Sequence, residues 1–152
     1  METYYKNDDE IRMLVSAFEA CSFHPSEFRH YQHLTVALWY VWHLSAEEAI
    51  ARMTNGIRRL AETYGKMGYH ETITLFWLRV VSNFVADHRA SSLPATANAL
   101  IDRCNNKDLI QQYYSDELLA TDKAKAEWVE PDLRPLPISG NAARSAEAEA
   151  TT

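Results

Sequence analysis

The chain has 152 residues, 47% of them hydrophobic and 24% charged, with a formal net charge of −6. That is the size of one ordinary domain with a continuous core. The acidic balance and the absence of any long Lys/Arg run argue against a nucleic-acid partner. The apolar stretches around Leu34–Leu44 and Ile73–Val81 are too short and too polar for a bilayer span. No signal peptide is legible at the N-terminus, so a cytoplasmic protein is the expectation. Cys21 and Cys104 lie far apart and outside any CxxC spacing, which reads as two small buried residues rather than a disulfide or zinc framework.

Only four glycines and five prolines occur, and three of the prolines fall between Pro131 and Pro137, so the body of the chain is nearly free of turn residues. Long helices follow. Ile11, Leu14, Val15 and Phe18 step by three and four, as one apolar helical stripe requires. A second helix is expected from Pro25 or Ser26 to Leu44, with Ser26 as its cap. A third opens on Ser45-Ala-Glu-Glu48, a capping box, and carries Ile50, Met53, Ile57, Leu60 and Tyr64 before stopping at Gly65, with Gly68 closing the loop.

The fourth helix is expected from Tyr69 to His88, with Thr72, Arg79, Ser82 and Asn83 on its polar face. A shorter one runs from Ser92 and Pro94 to Cys104, and Asn106, Ser115 and Thr121 cap further segments ending near Trp128. Glu130–Pro137 reads as an extended strap, because each proline bars helix at itself and at the residue before it. The fold class is therefore all-α, an up-down bundle of four main helices with shorter C-terminal helices and a proline-rich strap. The domain covers residues 1–138, and the small polar residues 139–152 read as a disordered tail.

Function is concentrated in histidines. At 100° per residue His30 shares a face with Leu34, Ala37, Val41 and Leu44, and Glu27 and His33 flank it. On the fourth helix His70 aligns with Thr74, Trp77 and Val81, and Glu71 sits beside it. Short connections make neighbouring helices antiparallel, so the second and fourth run parallel and bring His24, Glu27, His30, His33, Tyr69, His70 and Glu71 to one end. His43 and His88 go to the other. A titratable ring within an apolar stripe is costly unless something binds it.

The sharpest proposal from these residues is one divalent metal, zinc, iron, nickel or manganese, on His30, His70 and His33 or a carboxylate, with a small-molecule substrate at open positions. Glu71 or Glu27 would then transfer the proton. The Glu27-x-x-His30 step is half of a ferritin-like di-iron pattern, whose second half is missing here. Two alternatives stand beside the metal enzyme: a metal-free interaction module, and a metal-free acid–base enzyme with a His30 and Glu71 pair. Phe28, Trp39 and Trp42, nearly opposite His30, require that the second helix be covered on that side too, by the C-terminal helices and strap or by a homodimer partner.

The strings Glu27-Phe-Arg-His-Tyr-Gln-His-Leu34, Gly68-Tyr-His-Glu-Thr-Ile-Thr74 and Val129-Glu-Pro-Asp-Leu-Arg-Pro-Leu-Pro137 resemble those of a group of small bacterial helical proteins of uncharacterised activity. The resemblance covers most of residues 10–137 and implies a single compact domain, with no activity to carry over. Helical metalloproteins with three histidine ligands are a looser analogy, resting on fold alone.

Overall fold

A computed structural model describes residues 3–65 and 69–136. Gly68, Pro137 and the tail expected over 139–152 lie outside the described residues. Within them there is no strand. The five longer helices are α1 (Asp8–Glu19), α2 (His30–His43), α3 (Ala46–Thr63), α4 (Glu71–His88) and α5 (Leu93–Cys104), followed by the short α6 (Asp116–Leu119) and α7 (Asp122–Ala126). Two 3-10 segments, Pro25–Glu27 and Lys107–Gln112, precede α2 and follow α5.

The boundaries follow local chemistry. Asn7, Ser45, Ser92, Asn106, Ser115 and Thr121 each accept a backbone N–H of the first turn that follows, filling one of the donors a helix start leaves open. α3 ends as expected at Gly65, whose φ of 67° is the left-handed conformation open to glycine. α1 ends in the same geometry without glycine: Cys21 has φ 52°, its N–H donates to Phe18 O and that of Ser22 to Ala17 O. This is a Schellman closure with a cysteine where glycine is usual.

Two starts differ from expectation. α2 begins at His30, not at Pro25 or Ser26, because Phe28 and Arg29 leave the helical region and Phe28 instead buries its ring between Phe18, Phe23 and His33. The cap of the preceding turn is His24, which accepts Ser26 N–H through Nδ1, while Glu27 accepts His24 N–H. α4 begins at Glu71, and His70 is its cap rather than a member of its stripe.

α2 is central and packs against α1, α3, α4 and α5. Its far face is occupied within the chain. The Arg12 guanidinium of α1 lies 5.9 Å from the Trp39 ring and that of Arg89 lies 3.7 Å from the Trp42 ring. The strap covers a different helix: Trp128, Val129 and Leu136 pack with Phe76 of α4, Ile110 and Tyr114. It is tied there by Tyr114 Oη donating to Val129 O, Leu133 N–H donating to Tyr113 O, and Asp132 accepting from Ser115.

Thr72, expected on the polar face of α4, is instead buried under this C-terminal segment. Its Oγ1 lies 2.7 Å from Ala124 O and 2.8 Å from Glu127 O, and accepts Val129 N–H at 3.3 Å. One hydroxyl thus meets three backbone groups between Ala124 and Val129, sharing its single proton between the two carbonyls. Gly56, in mid-α3, faces Phe18: a Cβ added there would overlap the far edge of that fully buried ring. Its absent side chain is what lets α3 approach α1 so closely.

No described helix is long and apolar enough to cross a membrane.

Candidate functional site

α2 and α4 run side by side in the same direction, and α3 returns between their ends. The space this leaves near the N-terminal ends of α2 and α4 is a cavity of about 370 Å³, within the range of small-molecule sites. Its walls are mostly apolar: Ala37 from α2, Met53 and Ile57 from α3, Trp77 and Leu78 from α4, and Ile110. The polar groups that face it are His30, His33, His70, Tyr69, Thr74 and Lys107. The three histidines placed together by helical phase and chain direction do share one cavity.

Each ring is held differently. His30 packs edge-on to Trp77, centroids 4.3 Å apart, and its Nε2 lies 3.3 Å from Cys104 O. The carbonyl can only accept, so Nε2 carries the proton and Nδ1 the lone pair. Among the described residues Nδ1 has no hydrogen-bond partner, and no buried side-chain nitrogen or oxygen is without one, so Nδ1 is open to a visiting molecule. Burial lowers the His30 pKa, and the nearby Lys107 charge lowers it further.

His33 stacks on Phe28 with centroids 3.8 Å apart. Burial, assisted by the neighbouring His30, pushes its pKa down to about 4, against the pull of its hydrogen bond to the Phe28 backbone. It is neutral at physiological pH.

His70 is fully engaged. Nδ1 accepts Ile73 N–H at 3.2 Å and Nε2 donates to Leu119 O at 2.7 Å, so one ring caps α4 and ties it to α6. Neither nitrogen is left for a metal unless one of these bonds is given up. Among the described residues no three His, Cys, Asp or Glu side chains are grouped so as to hold a metal ion.

The two glutamates expected as proton-transfer groups do not line the cavity. Glu71 pairs with Arg58 at 3.1 Å and accepts from Tyr69 Oη at 3.1 Å. Glu27 is exposed in the 3-10 turn ahead of α2, so it shares no helical face with His30 and His33. His24 sits against Tyr64, ring centroids 5.0 Å apart, also outside the cavity lining. His43 and His88 are exposed and distant from it, as expected, His88 accepting from Arg103. Cys21 and Cys104 are both free and only partly buried.

Lys107 carries no signal in the sequence as a site residue. It reaches the cavity rim because α5 ends at Cys104 and the chain turns into a 3-10 segment capped by Asn106. Tyr69 is held above the range in which it ionises near neutrality, burial raising its pKa to about 12, so it acts here as a neutral phenol.

Comparison of the chain with protein-family models, curated proteins and solved structures finds no match.

Proposed function

We propose that the protein binds a small, largely apolar molecule in the cavity between α2, α3 and α4 and acts on it by proton transfer through His30, without a metal. The observation that carries this reading is the unpartnered Nδ1 of His30, a residue that lines a mostly apolar cavity. A neutral imidazole with one free nitrogen can take a proton from a bound molecule and return it, and burial, which lowers the His30 pKa, favours that neutral form. His33, held neutral by burial and by the neighbouring His30, sets the shape and polarity of the wall beside it.

The test is a fragment screen followed by nitrogen-15 NMR of the histidine rings. Bound fragments should move the His30 Nδ1 resonance more than that of any other ring and shift the amides of Ala37 and Ile57. His30→Gln should abolish the ring effect. Fragments that bind only in the groove near Ile50 and Trp128, or none that bind, would overturn the reading.

A second reading keeps one divalent ion, zinc, iron, nickel or manganese, on His30, His33 and His70. It is supported by the three rings facing one cavity and by His33 being neutral, as a ligand must be. Elemental analysis of untagged protein separates the two. About one equivalent of metal, lost in His30→Ala, His33→Ala and His70→Ala and kept in His43→Ala and His88→Ala, favours this reading; metal far below one equivalent after reconstitution favours the first.

A further inference from the structure

Among the described residues that line the cavity, Lys107 is the one Lys or Arg, and no carboxylate faces the space. This is a local reversal in a chain of net charge −6. Lys107 has no ion pair among the described residues. The acidic groups nearest in sequence or space are otherwise turned: Glu71 is paired with Arg58, and Asp108, next in the chain, is exposed and absent from the lining.

The phenol of Tyr69 and the hydroxyl of Thr74 face the same space, although both already have partners in Glu71 and His70 O. Trp77, Ile57, Met53 and Leu78 give the lining its apolar surface. The described lining therefore suits a molecule that joins one negative charge to a hydrocarbon body.

We infer that the molecule taken up by this cavity is a monoanionic amphiphile, a carboxylic acid with a compact apolar body, its carboxylate at Lys107 and its body between Trp77 and Ile57. The inference rests on the cavity being the binding site. A phosphate dianion is the poorer match: among the described residues the lining has one Lys and no arginine fork. A cationic ligand would meet Lys107 with no carboxylate to offset it.

The experiment is calorimetric titration of the full chain with three probes that share one body: cyclohexanecarboxylate, cyclohexanecarboxamide and cyclohexylmethylammonium. The wild type should bind the carboxylate about fivefold more tightly than the amide, the scale of one partly solvated ion pair, with the gap narrowing as salt is added. The ammonium should bind most weakly. Lys107→Met, a change at an exposed position, should bring the carboxylate to the level of the amide. Equal affinities for carboxylate and amide in the wild type, or a preference unchanged in Lys107→Met, would overturn the inference while leaving the cavity as a binding site. Failure of all three probes, together with an empty fragment screen, would remove the cavity reading itself.

Discussion

Acid should destabilise this protein through His33 before most of its carboxylates are protonated. In the folded chain the ring is held at about 4 by burial and by His30 beside it, against the pull of its hydrogen bond to the Phe28 backbone, whereas in the unfolded chain it returns to its ordinary 6.5. Above pH 6.5 the ring is neutral in both states and contributes no pH dependence. Between 6.5 and 4 the unfolded chain binds a proton that the folded chain does not, so stability falls as pH falls. The full displacement is worth about 3 kcal/mol, of which about 2 kcal/mol is lost by about pH 5. That is a large part of the margin of a domain this size. Urea unfolding followed by circular dichroism at about pH 7.5 and about pH 5 measures it. His33→Gln, which cannot titrate, should lose some stability at both pH values but show about 2 kcal/mol less pH dependence than the wild type. Equal pH slopes in the two proteins, or an NMR titration of the His33 ring near 6.5, would refute the reasoning. His30 shifts in the same direction and remains in both proteins, so it does not imitate the difference.

Three further outcomes follow from the packing. Thr72→Val keeps the shape but leaves two carbonyls and one N–H of the α7 and strap segment without their partner, and should cost about 2 kcal/mol in urea unfolding, largely restored by Thr72→Ser. Gly56→Ala gains about 1 kcal/mol of helix propensity but drives a methyl into the Phe18 ring, which is boxed in by Phe28, so the melting temperature should fall, with a net loss of about 1 to 2 kcal/mol. An unchanged or raised melting temperature would mean that α3 can slide away from α1 at no cost. Cys21→Gly removes a side chain from a left-handed position and should stabilise the chain by about 1 kcal/mol, whereas Cys21→Ala should not.

The caps and stripes of this chain are readable because they are local. Ser45 and its Glu48 amide, Gly65 and the spacing of Ile11, Val15 and Phe18 involve only neighbours a turn apart, and the structure has each as expected. What escapes is decided by groups far away in sequence. Phe28 breaks the run from Pro25 to His43 because its ring gains more beside Phe18 than the backbone gains from one continuous helix, and no periodicity within residues 25–43 carries that comparison. Thr72 looks polar and outward until α7, some fifty residues on, folds back over it. His70 has the right phase for a stripe, yet its ring serves Ile73 N–H and Leu119 O, a partner no helical wheel contains.

The same distinction bears on the site. Chain direction alone brings His30, His33 and His70 to one cavity, because two short connections fix which helix ends meet. Which ring nitrogens remain free depends on backbone partners that a helical wheel does not show: Cys104 O takes the N–H of His30 and leaves its other nitrogen open, whereas Leu119 O and Ile73 N–H occupy both nitrogens of His70. The histidines are thus separable by their bonding: His70 holds α4 to α6, His33 is buried as a neutral ring, and in the proposed function His30 is the one that meets the ligand. Exchanging His70 for asparagine, which can still cap α4, should therefore cost stability through the lost Leu119 bond while leaving the His30 resonance response to bound fragments intact. Loss of that response would return His70 to the binding site and with it the three-histidine metal reading.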